Sequence, residues 1–186
     1  DRVVGLDPET GGLLWAEAFP EPRRIIGVAD PVVDGDRLLV SDFWEGTLML
    51  RLPAGGRALQ RLWYRRGASE TQTDALHAMI GTPHFDGKHL YGVDSHGELR
   101  CLDASTGDRV WESLDLLPKT RWGTIHMVRH GQNVWMVTEK GELAITRLSP
   151  KGLQIISRAA LIEPTKKQHP RGVVWTHPAF ANRHVY

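Results

Sequence analysis

The stretch Gly5–Trp15, GLDPETGGLLW, returns at Cys101–Trp111 as CLDASTGDRVW, with Asp7/Asp103, Thr10/Thr106, Gly11/Gly107 and Trp15/Trp111 each displaced by 96 residues. That displacement is two units of 48, and further copies stand at the intermediate positions. RLPAGGRALQRLW (Arg51–Trp63) is a looser copy with a longer turn, and RLSPKGLQII (Arg147–Ile156) is a fourth, with Ile156 read at the tryptophan position. Self-similarity at a fixed period of this size marks an architecture of stacked units.

A second motif interleaves with the first: DPVVDGDRLLV (Asp30–Val40), TPHFDGKHLYG (Thr82–Gly92), HMVRHGQNVWM (His126–Met136) and HPAFANRHVY (His177–Tyr186). Each reads as strand, tight turn, strand, with Gly35, Gly87, Gly131 and Asn182 where the turn needs positive φ. A third turn runs through Gly46, Gly97 and Gly141 before strands that alternate apolar and polar residues. One unit is therefore four antiparallel strands, A to D, of about five to seven residues. The chain divides into a partial unit at 1–19 (strands C and D), full units at 28–64, 80–113 and 123–159, and a partial unit at 173–186 (strands A and B). The predicted fold is all-β, a β-propeller of four-stranded antiparallel blades. About four blade equivalents are present, as part of a seven- or eight-bladed ring. A large ring on strand D suits the wedge between blades, so Trp15, Trp63 and Trp111 are expected to dock one blade on the next.

Composition sets the outer limits. The 186 residues are 41% hydrophobic and 24% charged, and the formal net charge of +1 gives no global pull toward nucleic acid or membrane. The longest apolar runs, such as Leu38–Val40, are far too short to span a bilayer, and the first residues carry no signal-peptide pattern. The chain starts without Met inside a strand-like stretch and stops at Tyr186 without a turn, and so reads as a piece of a longer ring or one that two chains complete as a homodimer. Cys101 is the single cysteine and is expected to be a small buried hydrophobe.

The D-x-x-T-G-x-x-x-W pattern at Asp7–Trp15 and Asp103–Trp111 resembles the tryptophan-docking repeat of pyrroloquinoline-quinone (PQQ-like) propellers, over nearly the whole chain. That resemblance implies one of two branches. Quinoprotein dehydrogenases hold PQQ with calcium and carry an adjacent cysteine pair; cofactor-free relatives include the propeller lipoprotein of the outer-membrane assembly machinery and secreted repeat proteins. The single Cys101 favours the cofactor-free branch, and with it a non-catalytic, periplasmic or secreted binding module. A quinone- or metal-dependent oxidoreductase fragment is the alternative.

Two candidate sites follow from the expected architecture. Counting back from each A–B turn places Asp30, Thr82, His126 and His177 on the inner strands, as channel-lining groups. Of these, Asp30, His126 and His177 have metal-ligand chemistry. The connections from strand D to the next strand A carry Arg23, Arg24, Arg65, Arg66, Lys119, Arg121, Lys166, Lys167 and Arg171 against fewer acids, so one loop face is expected to be positive. Such a face suits an acidic protein or an anionic polymer, with Trp44, Trp122 and Trp175 as anchors. Nothing points to a specific nucleic acid, and no serine or histidine lies in a nucleophile elbow, zinc-protease helix or phosphate loop.

Overall fold

The computed structural model describes residues 2–20, 24–54, 58–168 and 171–186. An antiparallel hairpin, β1 (Arg2–Leu6) and β2 (Leu13–Ala18), is followed by three four-stranded antiparallel sheets. The first is β3 (Val32–Asp34), β4 (Arg37–Asp42), β5 (Gly46–Arg51) and β6 (Gln60–Arg65); the second is β7 (His84–Asp86), β8 (His89–Val93), β9 (Leu99–Asp103) and β10 (Arg109–Ser113). The third is β11 (Ile125–His130), β12 (Asn133–Thr138), β13 (Glu142–Ser149) and β14 (Gly152–Ala160). Within each sheet the strands lie side by side in chain order. Two short hairpins follow, β15 (Lys166–Gln168) with β16 (Arg171–Val173), and β17 (Phe180–Ala181) with β18 (His184–Val185).

The sheets bury both faces, which is why their middle strands read as continuous apolar runs. In β5, Leu48 and Leu50 pack back toward Trp15 of the first hairpin and Phe19 just after it, while Met49 between them packs forward against Phe85 and Leu90 of the second sheet and Leu76 of the connection leading into it. Leu38 and Leu39 of β4 divide the same way. A third cluster joins Val93 and Leu99 of the second sheet to Ile125, Met136 and Ala144 of the third. With a side-chain period of two, each strand feeds two cores.

Neighbouring sheets meet closely at one edge and are wedged apart at the other. At the first-strand edge the backbone itself makes contact: the amides of Val28 and Ala29 donate to the Met79 carbonyl at 3.0 and 2.8 Å. A Cβ added to Gly81 would lie 2.7 Å from the Ile125 carbonyl oxygen. At the fourth-strand edge a tryptophan fills the gap. Trp63 Nε1 donates to the Ala104 carbonyl of the next sheet at 3.1 Å, its ring 3.2 Å from where a Gly107 Cβ would be, and Trp111 Nε1 donates to the Ser149 carbonyl at 2.8 Å. Trp15 packs on Leu48 and Leu50.

The register aims those rings. In each of the four ladders one residue of the outer strand is skipped: Leu14 between the Leu13 and Trp15 pairs, Leu62 before Trp63, Val110 before Trp111, and Ile156 before Ser157. This is a β-bulge, which turns the following side chain toward the neighbouring sheet. It corrects the reading of Ile156: that residue is the bulged one and is 47% exposed, and Ser157 holds the tryptophan position of the third sheet. The turn from Ser149 to Gly152 is one residue shorter than that from Asp103 to Gly107, so an alignment anchored on the turn glycine lands on the bulge.

Strand lengths also depart from the expected five to seven residues. β3 and β7 have only three. Pro31 and Pro83 stand just before them and cannot donate to a ladder, so Asp30 and Thr82 lie ahead of the strands. β11 has no such proline and includes His126. The β15–β16 hairpin was not foreseen. The turns agree with their chemistry: Gly35, Gly87 and Gly131 all have φ of +61°, and Asn182 and Arg183 have +50° and +63°.

Replacing Trp111 by Ala is expected to destabilise the chain by about 3 kcal/mol through the lost ring packing, and by Phe only about 1 kcal/mol through the lost hydrogen bond. Urea unfolding of the two variants beside the parent checks both values. Within the second sheet, buried Arg100 bonds Asp94 at 3.0 Å, Glu112 at 2.9 Å and the Ala75 carbonyl at 2.9 Å. Arg100→Ala leaves Asp94 as an uncompensated buried charge, at an expected cost of about 3 kcal/mol or more, read from the melting curve.

Candidate binding face and inner-strand histidines

The turns between second and third strands and the connections leaving each fourth strand come together on one face. In the first two sheets an aspartate at the end of the second strand ties the incoming connection. Asp42 accepts the amides of Trp44 and Glu45 at 2.8 Å and of Ile26, from the incoming connection, at 2.6 Å; Asp94 accepts the His77 amide at 2.6 Å and the Thr73 hydroxyl at 2.6 Å. Burial raises the Asp42 carboxyl above its ordinary range against the pull of its three amides.

Each of these turns also buries a glutamate that grips a cation from the connection leaving the same sheet. Arg66 meets Glu45 at 3.1 Å, Lys119 meets Glu98 at 2.8 Å and Arg171 meets Glu139 at 2.8 Å. The glutamate side chains are 0, 4 and 2% exposed. Burial works against ionisation of Glu98, but the Lys119 bond, the residue's own amide and the charges of Lys119 and Arg100 outweigh it and hold the carboxyl low. The spacing from acid to base is 21 residues in the first two pairs (45 to 66, 98 to 119), a regularity visible in the sequence. Aligning the turn glycines hides it, because Glu45 precedes Gly46 while Glu98 follows Gly97.

These pairs revise the expectation of a positive face. Arg65 bonds Asp74 and Asp108, and Arg121 forms two parallel bonds to Glu70 at 2.8 and 2.7 Å. Arg24 lies 5.7 Å over the Trp44 ring, and Lys167 is exposed on β15. Lys166 also sits on β15, and Arg23 falls outside the described residues. Arg65, Arg66, Lys119, Arg121 and Arg171 thus answer acids of the chain itself, mostly on the turns rather than on the connections that the charge count compared.

Arg121 is the centre of the face. Its guanidinium lies 4.5 Å from the Trp122 ring centre, 5.6 Å from Phe43 and 5.9 Å from Trp44. Trp122 meets Trp175 edge to face at 6.5 Å, and Trp175 Nε1 donates to Glu139 at 3.2 Å. The Arg121 carbonyl in turn accepts from Arg171 at 2.8 Å. Trp122 has a φ of +64°, a backbone state that a bulky residue adopts only when its surroundings impose it. Beside this cluster lies a groove of about 480 Å³ lined by Arg24, Trp44, Glu45, Arg66 and Glu70 among others.

The four channel positions separate into two pairs. The Asp30 amide donates to Thr82 Oγ1 at 3.2 Å, and the His126 and His177 rings lie 5.0 Å apart. Asp30 thus belongs with Thr82 and not with the histidines, because it leads into the first sheet while His126 lies on the third, and the three do not gather as one set. Among the described residues no group of three or more His, Cys, Asp or Glu gathers as a metal site.

The described residues do not fit a quinone held with calcium. Cys101 is single, fully buried and paired across its ladders with Tyr91 and Trp111, and burial raises its thiol above the ordinary range. No carboxylate cluster stands ready for a calcium ion among them.

The family model for outer membrane protein assembly factor BamB matches residues 1–113, more than half of the chain. The chain belongs to this family. BamB of Kangiella koreensis is 28% identical over 123 residues, which cover 62% of this chain and 28% of that protein. The chain therefore spans under a third of the length of that curated relative. The crystal structure of BamB from Moraxella catarrhalis matches all of the chain and 48% of its own, at 20% identity with a TM-score of 0.62. Quinohemoprotein alcohol dehydrogenase from Comamonas testosteroni matches 77% of the chain and 22% of its own, at 21% identity with a TM-score of 0.52. Both structures share the fold with this chain, and the BamB-like PQQ repeat propeller is its architecture. Among the described residues no helix is long and apolar enough to cross a membrane.

Three buried or half-buried histidines couple stability to pH. Burial, with Arg129 nearby, holds His84 down at about 4, and burial likewise lowers His77 and His126. These rings stay neutral in the folded chain while the unfolded chain takes up protons below about pH 6.5. Stability present above that pH is therefore lost as pH falls toward 4, by about 3 kcal/mol from His84 alone. Unfolding midpoints at pH 7 and 4.5 are expected to differ accordingly, and His84→Phe to remove part of the difference.

Proposed function

We propose that the chain is a non-catalytic binding module of outer-membrane protein assembly, placed on the extracytoplasmic side, that takes a protein partner on its loop face. Membership of the BamB family supports the setting. The observation that carries the reading is Arg121, held over Trp122 between Phe43 and Trp44 and locked by two bonds to Glu70. Arginine and tryptophan dominate binding hot spots, and side chains already fixed in place lose little freedom when a partner arrives. The adjoining groove offers a recess for a partner's side chain.

Internal pairing of the cations also bears on the choice of partner. An arginine already committed to a carboxylate has little charge left for a polyanion, so the face favours a protein surface read by shape and aromatic contact over an anionic polymer. Affinity is expected to change little with ionic strength.

The purified chain should be titrated against purified components of the outer-membrane assembly machinery of its own organism. The expected result is saturable binding to one component that Trp44→Ala and Arg121→Ala each weaken by about 30-fold or more. Binding equal to the parent in both variants overturns the assignment of this face, as does a preference for polyphosphate over every protein component.

A further inference from the structure

His126 sits on β11 with 3% of its surface exposed. Its Nε2 lies 2.9 Å from the Trp175 carbonyl. A carbonyl only accepts, so Nε2 carries the proton and Nδ1 presents a lone pair. That lone pair is buried and finds no hydrogen-bond partner among the described residues. His177, on the segment leading to β17, repeats the arrangement in mirror: its Nδ1 lies 2.9 Å from the Pro178 carbonyl, so the lone pair is on Nε2. Each imidazole therefore has one nitrogen fixed by a backbone carbonyl and the other left as a donor of electrons. This is how a protein presets histidines to ligate a metal.

The spacing fits the same purpose. Two imidazoles that share a tetrahedral ion at Zn–N distances of about 2.0 Å have ring centres about 5 Å apart. The rings of His126 and His177 are 5.0 Å apart and inclined at 63°. His177 is exposed, so its ring can swing aside to admit an ion to the buried nitrogen.

The geometry points to a transition-metal site at His126 Nδ1 and His177 Nε2, joining the third sheet to the segment that leads into β17. Two imidazoles select zinc or its first-row neighbours over calcium and magnesium, which take oxygen ligands. Water fills the remaining positions, or a donor from a bound partner does. An ion held there ties two successive units at their inner edge, which gives the site a structural role separate from the loop face. The expected affinity is modest, since the protein supplies two ligands.

Zinc, nickel and cobalt chloride are the probes, added to the chelator-treated full chain at pH 7.5. The expected result is one zinc bound per chain in competition with a chromogenic chelator, with a rise in melting temperature that grows with zinc concentration. His177→Ala, a change at an exposed position, is expected to weaken zinc at least tenfold and abolish the rise. His177→Cys, which restores a soft ligand, is expected to recover binding, with a visible cobalt band of tetrahedral character. A double variant, His130→Ala with His184→Ala, serves as control because these rings also lie at the surface of this region. Zinc affinity unchanged in His177→Ala, zinc binding lost only in the control, or no zinc bound by the parent chain each overturns the site.

Discussion

A four-stranded sheet with two apolar faces cannot be stable alone, and every feature of this chain answers to that constraint. Leu48 and Leu50 look one way from β5 and Met49 the other, so each sheet requires a neighbour on both sides. The sheets are close enough at their first strands for backbone hydrogen bonds between neighbours, and stand apart at their fourth strands by the width of an indole. A bulge one residue ahead of that indole aims it across the gap. The third sheet has the bulge but carries Ser157 where a tryptophan would stand. The bulge is thus a property of the repeat and the ring a property of the particular interface.

Stacking sheets in this way sends all their turns and connections to common faces, and there the chain spends its charge internally. Glu45, Glu98 and Glu139 are nearly or wholly buried, which is tolerable because Arg66, Lys119 and Arg171 meet them. The paired groups hold the long connections against the sheets. Arg121 and the surrounding aromatic rings are ordered as a consequence, since Arg171 bonds the Arg121 backbone while holding Glu139. A rigid face of arginine and tryptophan thus arises from the same bonds that close each unit. The quinone chemistry found elsewhere on this fold has no counterpart among the described side chains, in keeping with the rule that a propeller scaffold does not fix its function.

Much of the architecture was legible because it is periodic. The 96-residue displacement of Asp7, Thr10, Gly11 and Trp15 depends only on local chemistry: an aspartate accepts the amides of the next turn, a glycine takes positive φ, and a ring fills the wedge. The bulge before each ring was not legible, since an extra residue in one strand leaves no mark on composition, and Ile156 was misplaced by one position because the turn glycine Gly152 comes one residue early in that copy. The short β3 and β7 carried a visible signal in Pro31 and Pro83, whose missing amides end the ladder.

The candidate sites were less accessible because they join residues from different units. Sequence identified Arg65, Arg66, Arg121 and Arg171 as loop cations, but only the folded chain shows which carboxylates face them, since Glu70 and Arg121 are 51 residues apart. It named Asp30, Thr82, His126 and His177 by their place before a turn, and only tertiary structure divides them into an Asp30–Thr82 pair and a histidine pair. The amino-acid sequence by itself determined the repeating unit, its turns and the residue types at its seams, because those follow from the backbone preferences and periodic burial of neighbouring residues. Tertiary structure alone decided register, charge pairing and which side chains converge, because these depend on the angle at which one sheet meets the next, and no local pattern encodes that angle.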